Sequence, residues 1–145
     1  MRVRLGMLAC AALFAARAVA GEAGPVTLAH QEGSWEMAYG DVYYRVVGKV
    51  ENRSKKPVKA VKLKLELLDA GGKPVVERVG YNQKAEVLGG VDGYDTGGSD
   101  EQKLAKVEPI PPGGDDLFRL GVGKNEIPKK PKFKSFRVSI VEVKQ

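Results

Sequence analysis

A chain of 145 residues with 43% hydrophobic and 29% charged residues can build one packed core, and its single cysteine excludes an intrachain disulfide framework. The net charge of +6 overstates the basicity of the folded part, because Arg2, Arg4 and Arg17 lie in an N-terminal stretch with the marks of an export signal. Without those three, 21 basic residues face 18 acidic ones, a net of +3, which suits a soluble charged surface rather than a nucleic-acid binder.

The N-terminus has a basic start, an apolar run Leu5–Ala16 and an Ala18-Val19-Ala20 site before Gly21. This pattern predicts a secretory signal peptide over residues 1–20, and the run is shorter than the roughly 20 apolar residues needed to span a bilayer. The mature chain, 21–145, then has no transmembrane segment and no cysteine, since Cys10 leaves with the signal. Lipidation at Cys10 is the disfavoured alternative, because most of the apolar run follows it. A cysteine-free exported domain fits a bacterial envelope, periplasmic or fully secreted.

Val26–His30 reads as a short strand, broken by Gln31–Ser34. Trp35, Met37 and Tyr39 then alternate as an edge strand or flap. The stretch Asp41–Asp69 carries the clearest signal. Val42, Tyr44, Val46, Gly48 and Val50 share one face of a strand. After the polar turn Asn52–Pro57, Val61, Leu63, Leu65 and Leu67 alternate with Lys62, Lys64 and Glu66. A period of two with charge on alternate positions predicts two strands of an antiparallel sheet with one face in water, read here as a paired ribbon.

Asp69–Lys73 is a glycine-bearing turn into a strand begun by Pro74. Residues 80–101 read as a mobile or ligand-shaped loop, with Gln102–Val107 expected to resume a strand. Ile110–Gly114 is a rigid bend. Strands with Phe118, Leu120 and Val122, and with Phe136, Val138 and Ile140, follow on either side of a Lys/Pro loop at 124–132. The parity slips at Ile140–Val141, as a β-bulge would make it. The chain is therefore expected to be all-β, a single antiparallel immunoglobulin-like β-sandwich of about seven strands.

Gly48, Val50, Asn52 and Ser54 form a Gly-x-Val-x-Asn-x-Ser element, and Leu65–Asp69 is followed by Gly71-Gly72. A Pro112-Gly113 bend then precedes Phe118. In this order the chain resembles the FxLYD family of immunoglobulin-like domains in exported prokaryotic proteins, over roughly 44–122. Leu67 and Asp69 match the name-giving segment, while Leu65 stands in place of the Phe and Leu68 in place of the Tyr. The resemblance implies an exported binding or accessory module and brings no catalytic residues.

The chemistry-bearing residues are sparse. His30 is the one histidine and has no cysteine beside it, so zinc spacings are absent. No Gly-x-Ser-x-Gly elbow occurs, and the chain is read as a non-enzyme with no required cofactor. Asp92, Asp95, Asp100 and Glu101, set among five glycines of residues 89–101, could offer oxygen ligands to calcium or hold a small ligand or carbohydrate. A solvated acidic loop is the simpler reading. Lys124, Lys129, Lys130, Lys132, Lys134 and Arg137 enclose Phe133 and Phe136, and are read first as a solvated loop guarding a strand edge. Peripheral contact with an anionic membrane surface is the alternative. Trp35, Tyr39, Tyr43, Tyr81 and Tyr94 could form an aromatic platform for carbohydrate or protein, or simply cap the sandwich.

The leading expectation is thus a non-enzymatic module of the bacterial envelope that binds a protein or envelope component, not nucleic acid. A calcium- or small-ligand-binding module on the 89–101 loop is the alternative.

Overall fold

The computed structural model describes residues 24–89 and 97–145. The signal-peptide region with Cys10, and Asp92, Tyr94 and Asp95 of the acidic loop, lie outside the described residues.

The described residues form two antiparallel sheets. Strands β1 (Val26–Ala38), β2 (Asp41–Asn52) and β5 (Asp115–Gly123) make one, in the order β1-β2-β5. Strands β3 (Ala60–Leu68), β4 (Pro74–Tyr81) and β6 (Ser135–Lys144) make the other, in the order β4-β3-β6. A 3-10 segment, Gln83–Gly89, and a short helix α1, Asp100–Leu104, bridge β4 and β5. No helix among the described residues is long and apolar enough to cross a membrane.

The alternation seen in sequence sets the inner faces. Val46 and Val50 of β2 face Val61, Leu63, Leu65 and Leu67 of β3 in one core, joined by Phe118, Leu120 and Val122 of β5 and Val138 and Ile140 of β6. Gly48 belongs to this face because Phe118 is its cross-strand partner. A Cβ at Gly48 would lie 2.6 Å from the Phe118 ring and 3.2 Å from the Ala29 carbonyl oxygen.

β2 and β3 are not the paired ribbon that their sequence suggests. They lie in opposite sheets, and Asn52–Pro57 carries the chain across the core. Both edges of β2 are already occupied, by β1 and β5, and the crossing is fastened to the Ile110–Gly114 bend. Gly113 N–H donates to the Asn52 carbonyl (2.8 Å), Asn52 N–H to Gly114 (2.9 Å), and Val58 and Ile110 exchange both backbone bonds. The buried Asn52 side chain completes the crossing. Its amide donates to the carbonyls of Lys56 (2.8 Å) and Ile110 (3.0 Å), while its oxygen accepts from the Ser54 amide (3.0 Å) and hydroxyl (2.7 Å).

Two further expectations are corrected. β1 runs unbroken from Val26 to Ala38, because the Gln31–Ser34 region absorbs a register shift between Ala29 and Glu32 instead of ending the strand. Gln102–Val107 is not a strand. Ser99 and Gln102 form a capping box, with Gln102 N–H donating to Ser99 Oγ (3.2 Å) and Ser99 N–H to Gln102 Oε1 (3.0 Å), and this starts α1. Six strands are present among the described residues. The bulge at Ile140–Val141 is present: Leu63 pairs with Ile140 but Lys62 with Glu142, leaving Val141 as the extra residue. The Asp69 turn also forms as read, its carboxylate accepting from Gly71 and Lys73 amides at 2.9 Å each.

On the outer face of β3, Glu66 is buried between Arg137 of β6 (Nε at 2.7 Å) and Lys64 (3.2 Å). Burial alone would push this carboxyl up, but the hydrogen bonds and charges of Arg137 and Lys64 outweigh it and hold it below the usual range. A depressed folded value stabilises the domain above the unfolded carboxylate pKa and loses that contribution as pH falls through the folded value. Glu66→Gln is therefore expected to lower stability by about 1 kcal/mol at neutral pH, since Arg137 is partly solvated. In urea melts the gap to wild type should narrow steadily as the pH drops below 4.5.

Candidate functional site

The β1–β2 hairpin turns at Tyr39-Gly40, both with positive φ (53° and 84°), between the paired Ala38 and Asp41. Two central residues in that region are the geometry of a type I′ turn, whose twist matches the strands it joins. The hairpin is long. Asp41 and Val42 continue β2 beyond Tyr43↔Gly123, its last pair with β5, so this end of the sheet is only two strands wide.

The inner face of this hairpin carries Trp35, which pairs with Tyr44, and Met37, which pairs with Val42. From the other layer, at the entry to β6, Phe133 packs against Trp35 and Tyr44, and Phe136 against Tyr44. The ring centroids lie 5.3 Å apart for Trp35–Tyr44, 4.9 Å for Tyr44–Phe133, 5.8 Å for Trp35–Phe133 and 6.4 Å for Tyr44–Phe136. Edge-to-face and tilted rings at these distances are mutually attractive. Burial in the cluster pushes the Tyr44 phenol up, so it stays a neutral hydroxyl.

Gly33 makes room for the cluster: a Cβ there would meet the Tyr44 hydroxyl and lie 2.9 Å from Phe136 Cε1. Gly33→Val should displace both rings and cost about 1–3 kcal/mol. The same variant should shift the emission of Trp35, the only tryptophan in the chain, which a simple surface substitution would leave alone.

Between the hairpin and the 124–133 segment lies an open cleft of about 1100 Å³. Trp35 and Phe133 contribute its aromatic surface, Ile127 and Pro128 an apolar wall, and Lys124, Lys129 and Lys132 its basic rim. Of the two carboxylates that also line it, Glu126 is spoken for. Its Oε1 accepts from Arg78 (2.6 Å) and its Oε2 from the Gly123 amide (2.9 Å). The Arg78 hydrogen bond, with that amide, holds Glu126 below the usual carboxylate range. That leaves Asp41 facing three lysines, so the cleft favours a ligand that is apolar on one side and anionic on another.

The cleft unites residues that the sequence presents as two separate candidates. Trp35 and Tyr43 of the aromatic set, and Lys124, Lys129, Lys132 and Phe133 of the basic set, line one site, with Tyr39 in the adjoining turn. Tyr81 does not join them and packs beside Ala60, Ala85 and Val107. Arg137 also stands apart, on the outer face with Glu66. Asp41, Ile127 and Pro128 were not legible as site residues, because a strand start and a proline loop carry no chemical signature of their own.

Of the residues proposed for calcium, Asp100 and Glu101 are exposed in the first turn of α1, where acidic side chains favour the helix N-terminus without any ion. Among the described residues no group of three His, Cys, Asp or Glu is placed to hold a metal. His30 sits at the β1 bulge with φ 52°, beside a smaller hollow of about 410 Å³ lined by Lys49, Glu86 and Arg119.

No family model and no curated protein matches the chain. Among solved structures, the X-ray structure of Northeast Structural Genomics Consortium target SoR45 aligns over 82% of this chain and 83% of that one, at 14% identity and a TM-score of 0.34.

Proposed function

We propose that the chain is an exported, non-enzymatic binding module of the bacterial envelope, and that it engages an envelope component at the cleft between the β1–β2 hairpin and residues 124–133. The observation that carries this reading is the aromatic surface with its lysine rim, open to solvent at the hairpin end of the sandwich. Buried cores rarely leave a tryptophan half exposed beside a cluster of unpaired cations, and such mixed surfaces are where partners bind.

On this reading the fold is an immunoglobulin-like sandwich of the FxLYD type. Support comes from the roles of the residues that carry the resemblance: Gly48 admits Phe118, Asn52 and Ser54 build the crossing between sheets, and Asp69 closes the β3–β4 turn. All are fold-building, so they bear on architecture and leave binding to the cleft. Export follows from the signal-like residues 1–20, which the mature domain would lose on reaching the envelope.

Hydrogen exchange of the mature chain, with and without an extract of the producing cell's envelope, tests the site. Protection confined to residues 35–43 and 124–133 is the expected result. Protection confined to residues 89–101 would favour the calcium- or small-ligand alternative on the acidic loop and overturn this assignment.

A further inference from the structure

The hairpin tip presents apolar side chains that reach into solvent, Met37 and Tyr39 standing beyond the cleft that Trp35 lines. Trp35 is 49% exposed, Met37 77% and Tyr39 fully so. Anchors for a protein groove are normally part-covered by their own domain, which holds them in place. Side chains this uncovered suit a soft, deformable medium that closes around them. Tryptophan and tyrosine favour the boundary between water and lipid, and methionine is a flexible apolar filler.

The charge beside the tip has one sign. Residues 124–134 hold five lysines against one acid, Glu126, which Arg78 already engages. All five lysines are exposed, and among the described residues none of them forms an ion pair. Phe133, near the end of this segment between Lys132 and Lys134, packs on Trp35 and fixes the segment next to the apolar tip. The tip therefore lies beside Lys124, Lys129 and Lys132 at one end of the sandwich, and Lys130 and Lys134 adjoin them in the chain.

We infer that this end docks on an anionic lipid surface, with Met37, Tyr39 and Trp35 entering the headgroup boundary and Lys124, Lys129, Lys130, Lys132 and Lys134 lying over the lipid phosphates. Apolar insertion together with a basic patch supplies the two signals that stable peripheral binding needs. The inference rests on the proposed binding role of the cleft and names its partner. It also replaces the edge-guarding role that the lysines suggest in sequence, because Phe133 ties them to the hairpin.

The test is co-sedimentation of the mature chain with phosphatidylcholine vesicles, with and without phosphatidylglycerol. Binding is expected only with the anionic lipid and should weaken sharply as salt screens the lysines. Lys129→Gln and Lys132→Gln should each lower the partition coefficient about five-fold. Met37→Asp with Tyr39→Asp should abolish it. These positions are exposed, and aspartate tolerates the positive φ at Tyr39, so each variant should melt with the wild type. No uptake by anionic vesicles, or uptake that ignores these substitutions, overturns the lipid assignment. If vesicles then take up nothing while a membrane-free envelope extract still protects 35–43 and 124–133, the partner is a protein and the cleft keeps its role.

Discussion

Replacing Phe118 with alanine is expected to destabilise the domain by about 3–5 kcal/mol. Phe118 is 1% exposed and the bulkiest of the fully buried side chains. It stands on β5 beside Gly48 of β2, its neighbour in the same sheet, and its side chain belongs to the core that the two sheets share. Its loss removes apolar burial and leaves a cavity that a rigid pair of sheets cannot collapse around. For a domain of this size the melting temperature should fall by about 10–20 °C.

The partner residue gives the sharper form of the test. Gly48→Val alone should also be strongly destabilising, since its Cβ would lie 2.6 Å from the Phe118 ring. Combined with Phe118→Ala, the valine should fill part of the vacated space, so the double variant should be more stable than the sum of the two losses implies. Rescue should stay incomplete, because the Ala29 carbonyl oxygen still stands 3.2 Å from that Cβ. Simple additivity in urea midpoints would mean that the two residues do not oppose each other.

Asn52→Ala is expected to cost about 2–4 kcal/mol, from four hydrogen bonds made by a side chain that is 1% exposed. Asn52→Asp separates the donor from the acceptor role. The aspartate keeps the bonds from Ser54 but turns a charged oxygen toward the carbonyls of Lys56 and Ile110, so at neutral pH it should be no milder than alanine. Burial beside two carbonyls raises the folded pKa of that carboxyl above its unfolded value. Stability relative to wild type should therefore recover as the pH falls and the protonated acid regains one donor. Parallel denaturation curves of the two variants across the acid range would contradict the donor role.

The sequence makes faces legible but not partners. The alternation in 42–50 and 61–67 correctly separates inner from outer residues, since a strand has only two faces. Which strand pairs with which depends on how the turn between them runs. Asn52–Pro57 has the polar composition of a hairpin loop, yet its backbone bonds go to the distant Ile110–Gly114 bend. The true hairpin at Tyr39-Gly40 lacks the Asn-Gly or Asp-Gly pair that would announce it. The Ser99-x-x-Gln102 capping box was readable and outweighs the strand-like composition after it. The parity slip at Ile140–Val141 marked its bulge correctly, because an extra residue leaves its trace directly in the period.

The candidate site was legible only in pieces. Aromatic residues at 35–43 and lysines at 124–132 are 80 or more positions apart, and nothing local links them. What brings them together is the three-dimensional stacking of Trp35, Tyr44 and Phe133 between the layers. The acidic loop was the more conspicuous candidate in sequence because its residues are adjacent. In the fold, Asp100 and Glu101 serve the start of α1.

Acrylamide quenching of Trp35 tests most directly whether the open end of the sandwich is the working surface, since no other tryptophan contributes to the signal. In the free mature chain the indole should be readily quenched, and envelope material from the producing cell should protect it and shift its emission to the blue. An indole already shielded in the free chain, or one equally quenched with and without that material, would contradict the account.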